Sequence, residues 1–153
     1  MQTVSKVLFV CTGNTCRSPM AEYYFNSEIK KLGDQIEITA SSRGLYANSG
    51  TPMAQNAIKV LSSQNIDGTL HRSAQLDGYI IRASDLVYGM TPHHEAELKQ
   101  QFPEFADKIF CMPEHIGDPY GGSLEVYERC FESIQKSVDI IYFLIKSLTG
   151  ENL

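Results

Sequence analysis

No apolar run in this chain approaches the about 20 residues that a bilayer-spanning helix needs. The N-terminal stretch Val7-Leu8-Phe9-Val10 is also far shorter than the apolar core of a signal peptide. The sequence therefore predicts a protein that is neither inserted in a membrane nor exported. Basic residues are outnumbered too: thirteen lysines and arginines face eighteen acids, for a net charge of -5. With no positive field to gather a polyanion, nucleic acid and anionic lipid are not expected partners. Cysteine is sparse, at positions 11, 16, 111 and 130. A chain of 153 residues folds without covalent staples, so free thiols in a reducing cytoplasm are the simpler reading. No linker, repeat or low-complexity stretch divides residues 1–153, which predicts a single domain.

What is present alternates between strands and helices. Val7 to Val10 is a continuous apolar run, as expected of a strand buried on both faces of a parallel sheet. It ends at Cys11, and after a loop Ser18-Pro19 offers an N-cap and a first-position proline for a helix from Met20 to Leu32, closed by Gly33. Ile36 to Ala40 alternates like a second strand, and Thr51-Pro52 opens a second helix with Met53, Ala57, Val60 and Leu61 on one face. Asp85 to Met90 is a third strand, Thr91-Pro92 starts a helix to about Gln101, and Lys108 to Cys111 is a fourth strand. The chain closes on one long helix whose apolar stripe is Tyr127, Phe131, Ile134, Val138, Ile141, Ile145 and Leu148. This order predicts an α/β fold: a small four-stranded parallel sheet, order 2-1-3-4, with helices on both faces in a flavodoxin-like three-layer sandwich. Ligands of such sheets bind where the strand order reverses, at the carboxyl end of strand 1, and Cys11 stands there.

The loop after that strand is Cys11-Thr12-Gly13-Asn14-Thr15-Cys16-Arg17-Ser18. The offset of Cys11 and Arg17 means little by itself, and its context sharpens it. Gly13 and Asn14 suit a tight turn with unusual backbone angles, and the loop runs into a helix start. Backbone N–H groups turned inward at the positive end of a helix form a nest for a phosphate dianion. Arg17 adds a planar fork matched to two phosphate oxygens, and the same field favours the thiolate of Cys11, a nucleophile. Nucleotide-binding loops require a second glycine followed by lysine, and dinucleotide loops require two more glycines, so neither reading fits. Phosphoryl transfer to sulfur leaves a basic group in need of a proton. Asp118, stiffened by Pro119 after the fourth strand, is the candidate acid, although an Asp-Pro pair alone is more often only a turn.

Val10 to Glu22, together with Asp118-Pro119-Tyr120, resembles the low-molecular-weight protein tyrosine phosphatase family over essentially the whole chain. The resemblance implies that Cys11 is the nucleophile, Arg17 the transition-state clamp and Asp118 the general acid and later base. It further implies that Thr12, Gly13, Asn14, Thr15, Cys16, Arg17 and Ser18 bind the phosphate. Ser18 would donate to the Cys11 thiolate, and Asn14, Ser42 and His71 would support the loop. Tyrosine-directed members carry isoleucine where this chain has Thr15; its bacterial protein-arginine phosphatase branch is similar in having threonine there and a glycine pair, here Gly121-Gly122, after the acid. A hydroxyl orients a polar guanidinium-phosphate that isoleucine would leave unpaired, so phosphoarginine on proteins is the favoured substrate and phosphotyrosine the alternative. Tyr46 and Tyr120 would wall the pocket for either substrate.

Other classes fit less well. Arsenate reductases resemble this fold and loop but need resolving cysteines in mid-chain, and residues 68 to 100 hold none. A phosphocysteine carrier should lack the clamp and the acid. A thiol redox sensor is compatible with catalysis, because Cys11 and Cys16 share one loop and could close a protective disulfide on oxidation. No metal is expected: Cys11 and Cys16 do not have ligand spacing, and His93-His94-Glu95 does not form a zinc-protease motif. No organic cofactor is implied.

Overall fold

The computed structural model describes residues 3–33 and 36–149, so both bounds of the predicted domain, 1 and 153, lie outside the described residues. Strand β1 (Lys6–Cys11) is central in a parallel sheet of β2 (Thr39–Gly44), β1, β3 (Leu86–Gly89) and β4 (Ile109–Cys111), in the order β2-β1-β3-β4. Successive side chains of β1 point to opposite faces, and this sorts the helices into two layers. Val7, Phe9 and Cys11 pack with Met20 and Phe25 of α1 (Arg17–Lys31), Leu61 of α2 (Gln55–Ser62) and Ile134 of α5 (Leu124–Thr149). Leu8 and Val10 face Ile81 of α3 (Gly78–Ala83) and Leu98 of α4 (Pro92–Gln101). The expected three-layer α/β sandwich with sheet order 2-1-3-4 is the fold observed.

Three boundaries and one stripe residue differ from the sequence reading, beyond one-residue shifts at the ends of α1, β3 and β4. Helix α1 starts at Arg17, and Ser18 is no N-cap: the Met20 amide already bonds the Cys16 carbonyl at 3.1 Å, and Pro19 occupies a first-turn position that needs no N–H. Strand β2 runs from Thr39 to Gly44, where Ile36 to Ala40 was expected; Ala40, Ser42 and Gly44 are its buried residues, and Ser42 tolerates burial because its hydroxyl is bonded on both sides. Helix α2 begins at Gln55, because Pro52 bridges to Arg72 and the Ala54 amide donates to the Thr15 carbonyl at 3.0 Å. Leu148 leaves the stripe of α5 and is 52% exposed, while Tyr127 through Ile145 of that stripe are buried. Helix α3, capped by the Asp77 carboxylate on the Ile80 amide, and a 3-10 turn at Pro103–Lys108 were not expected.

Two glycines let elements close on the end of β1. At Gly89 a Cβ would meet the Glu95 amide nitrogen at 2.8 Å and His94 Cβ at 2.9 Å, so only glycine allows α4 to start against β3. At Gly44 a Cβ would stand 2.7 Å from the Thr12 carbonyl oxygen and 3.1 Å from the Asn14 amide nitrogen. Both obstacles are backbone. Gly44→Ala is therefore expected to cost about 1–3 kcal/mol of stability and to displace the loop after β1. Urea unfolding would measure this, and an unchanged midpoint would mean that the loop has slack.

Candidate active site

The loop from Cys11 to Arg17 wraps a cavity of about 220 Å³ whose remaining lining residues are Asp118 and Tyr120. Asn14 stands at φ +60°, a left-handed conformation that costs a non-glycine residue about 1–2 kcal/mol. Gly13 does not share it, contrary to expectation. Asn14 is held there through all its polar groups. Its amide N–H donates to Cys11 Sγ at 3.3 Å, and its carbonyl accepts from His71 Nε2 at 2.8 Å. Its Nδ2 donates to Ser18 Oγ at 2.8 Å and Ser42 Oγ at 2.9 Å, and its Oδ1 accepts the Ala74 amide at 2.9 Å. At about 1 kcal/mol net for each bond, these outweigh the backbone strain.

This network also sets the direction of the hydroxyls. Ser18 Oγ accepts from Asn14, and its own hydrogen has Cys11 Sγ, 2.9 Å away, as the nearer of two acceptors, the other being the Arg43 carbonyl at 3.5 Å. Ser42 donates onward to Glu22 Oε1 at 2.6 Å, and burial pushes the Glu22 carboxyl above its usual range. Two donors thus converge on the Cys11 sulfur. Burial pushes the Cys16 thiol up as well, and its Sγ lies 3.4 Å from the Tyr127 hydroxyl. Burial also pushes the Cys130 thiol, on the same helix, up to about 12.

Arg17 is buried, with Nη1 donating to the Ile116 carbonyl at 3.0 Å and Nη2 lying 3.9 Å from Asp118 Oδ2. The guanidinium therefore fastens the segment that carries Asp118 to the loop that carries Cys11. Asp118 itself is 58% exposed and accepts the Tyr120 amide at 3.1 Å. Gly121, at φ +78°, ends this turn.

Of the residues singled out in the sequence, Cys11 to Ser18, Ser42, His71, Asp118 and Tyr120 come together here. Tyr46 does not. Its ring is 66% exposed, and its hydroxyl bonds Glu97 of α4, which draws it into a separate groove with His93 and Gln101. Only its backbone serves the loop, donating to the Thr12 carbonyl at 2.9 Å. Tyr120 is the aromatic residue in the cavity lining, and Tyr46 is not among the lining residues.

His94 was not foreseen. It is buried, with Nε2 2.9 Å from Thr12 Oγ1 and Nδ1 2.8 Å from Thr91 Oγ1. Its signal lay in Thr91-Pro92, which caps α4 and puts His94 in the first turn, facing β1. Among the described residues no group of His, Cys, Asp and Glu could hold a metal ion, and no helix is long and apolar enough to cross a membrane.

Burial, with Arg17 nearby, pushes His94 down to about 4, and burial lowers His71 too, so both rings are neutral at pH 7. Groups depressed by folding take up protons first in the unfolded chain, so their contribution to stability is complete above about pH 6.5 and is lost as pH falls toward about 4. His94 alone should contribute on the order of 2 kcal/mol of that loss, after a discount for solvent screening. Urea midpoints between pH 7 and pH 4.5 should fall more steeply in the native protein than in His94→Gln; equal slopes would show that His94 titrates normally.

A family model described as low molecular weight phosphotyrosine protein phosphatase matches residues 6–151. A curated relative, the protein-arginine-phosphatase of Geobacillus stearothermophilus, is 36% identical over 88% of this chain and 91% of its own. The crystal structure of a low molecular weight protein tyrosine phosphatase from T. tengcongensis aligns with a TM-score of 0.85 at 41% identity, covering 90% of this chain and 97% of the other. A YwlE arginine phosphatase whose active-site cysteine is replaced by a phosphorylated serine aligns with the same score at 30% identity, over 94% and 95% of the two chains.

Proposed function

The chain belongs to the low molecular weight phosphotyrosine protein phosphatase family, and we propose that it removes phosphate from arginine side chains of proteins, with Cys11 as nucleophile. The observation that carries the proposal is the pair of hydrogen bonds aimed at Cys11 Sγ inside a loop that also presents Arg17 and faces Asp118. Hydrolysis through a cysteinyl-phosphate is the family's chemistry, and the phosphorylated serine of the YwlE variant marks the corresponding nucleophile in that protein.

The Cys11 thiolate attacks phosphorus in line with the departing guanidine nitrogen. An S–P bond forms and the P–N bond breaks. Asp118, as the acid, gives its proton to that nitrogen, and the Arg17 guanidinium and the loop N–H groups hold the three spreading negative oxygens. Asp118, now a carboxylate, takes a proton from water, whose oxygen attacks phosphorus; the S–P bond breaks and the thiolate returns with inorganic phosphate released. Asp118 at the cavity rim is exposed enough to serve both steps.

Thr15 and Tyr120 in the lining account for the choice of substrate. A guanidinium keeps N–H donors after phosphorylation. The Thr15 hydroxyl can accept one, and the Tyr120 ring, in the same lining, can meet the cation by cation–π contact. The protein-arginine-phosphatase from Geobacillus is one support for this reading. Phosphotyrosine is the second reading, favoured by the T. tengcongensis structure at 41% identity. Four free thiols suit a reducing cytoplasm, and oxidation joining Cys11 to Cys16, with both protons and two electrons passing to a peroxide, would silence the site reversibly.

Cys11→Ser is expected to abolish turnover of phosphopeptides while inorganic phosphate still binds; surviving turnover would remove Cys11 from the chemistry. Asp118→Asn should slow turnover about 10²- to 10⁴-fold, most with the poorest leaving groups. Comparing kcat/KM for phosphoarginine and phosphotyrosine peptides should give a native preference for phosphoarginine, which Thr15→Ile shifts toward phosphotyrosine. A native preference for phosphotyrosine would overturn the substrate assignment.

A further inference from the structure

Thr12 lines the cavity, and its hydroxyl is the near end of a buried chain, Thr12–His94–Thr91. Thr91 Oγ1 accepts the His94 backbone amide at 3.3 Å, which leaves its own hydrogen free. A neutral imidazole has one N–H and one lone pair, so the chain has two internal directions. In one, Thr91 donates to Nδ1, Nε2–H donates to Thr12 Oγ1, and the Thr12 hydrogen is released toward the cavity. In the other, Thr12 donates its hydrogen to Nε2 and has none to offer.

We propose that His94 is a positioning residue that, in its Nε2–H form, turns the Thr12 hydroxyl into a donor to the phosphate bound beside Cys11. This rests on the loop being a phosphate site. A dianion in the cavity favours the first direction, because a hydrogen bond from Thr12 meets negative charge and the imidazole N–H bond dipole behind it reinforces that bond. The charged and titratable groups around the ring are Arg17, His93, Glu97 and Asp118. Gly89 is what allows the ring to be there, since a side chain at that position would strike His94 Cβ at 2.9 Å.

A hydrogen bond to an anion corresponds to about tenfold to a hundredfold in affinity. Thr12→Val and His94→Ala should each weaken inorganic phosphate binding and lower kcat/KM by that factor, and the double variant should be no worse than either. Thr12→Ser should retain the native values, and His94→Gln, whose amide nitrogen replaces Nε2–H, should recover most of the loss. Nitrogen-15 NMR of the native protein with saturating inorganic phosphate should show His94 as the Nε2–H tautomer. Additive losses, or an Nδ1–H tautomer with phosphate bound, would overturn the assignment. Should His94→Ala fail to fold, Thr12→Val against Thr12→Ser decides the matter, and equal affinities sink it. Binding and NMR need no turnover, so these results stand apart from the Cys11→Ser test: turnover surviving there would remove Cys11 from the chemistry, whatever His94 does.

Discussion

A left-handed asparagine with every polar group engaged is the constraint on which the rest of the site depends. Asn14 joins three segments distant in sequence: its own loop, Ser42 of β2, and the crossover residues His71 and Ala74. Each of these could shift separately in a looser fold. Bound to one residue, they fix the loop's curvature and aim the Asn14 N–H at Cys11 Sγ. The parallel sheet makes this possible, because β2 lies directly beside β1 with Gly44 opposite Cys11, and a glycine there leaves room for the loop backbone.

The charges follow from the same packing. Arg17 is buried and permanently cationic, tied to the Ile116 carbonyl, while the two histidines that touch the loop are kept neutral by burial. One fixed positive charge among neutral donors suits a dianion that must arrive, react and leave. A second cation in the cavity wall would bind product phosphate more tightly without adding selectively to the transition state. Arg17 also couples position to charge, because the group that would bind the anion reaches across to Asp118.

How much of this was legible in the sequence depended on how local each feature is. The order of strands and helices, the start of α4 at Thr91-Pro92, and the closure of α1 at Gly33 follow from short-range patterns and agree with the structure. The bounds of β2 are not legible in the sequence, because the alternation of Ile36 to Ala40 is the stronger local pattern; the polar residues of Thr-Ala-Ser-Ser-Arg-Gly are stable in a sheet only through Asn14 and Glu22, which lie far away in sequence. Ser-Pro usually caps a helix, whereas here the Ser18 hydroxyl is taken by the sulfur. Tyr46 was expected in the wall, and only the three-dimensional position of Glu97 shows where its ring goes. His94 stands in the helix that Thr91-Pro92 opens, beside another histidine, and its contact with Thr12 spans 82 positions, which no local pattern reveals.

The hydrogen-bond directions in the site are decided by backbone groups, which cannot exchange donor and acceptor roles. The Ala74 N–H orients the Asn14 amide; that amide donates to Ser18, whose hydrogen is then left for Cys11 Sγ at 2.9 Å in preference to the Arg43 carbonyl at 3.5 Å. The Asn14 carbonyl likewise requires His71 to carry its proton on Nε2. The chain from Thr91 to Thr12 has a weaker reference: the His94 backbone N–H donates to Thr91 Oγ1 at 3.3 Å, which leaves the Thr91 hydrogen for Nδ1, but the far end is the Thr12 hydroxyl, which can give or take. An anion in the cavity accepts the Thr12 hydrogen and so completes the direction that the backbone favours. The last donor of the site is thus fixed only when there is charge to receive it.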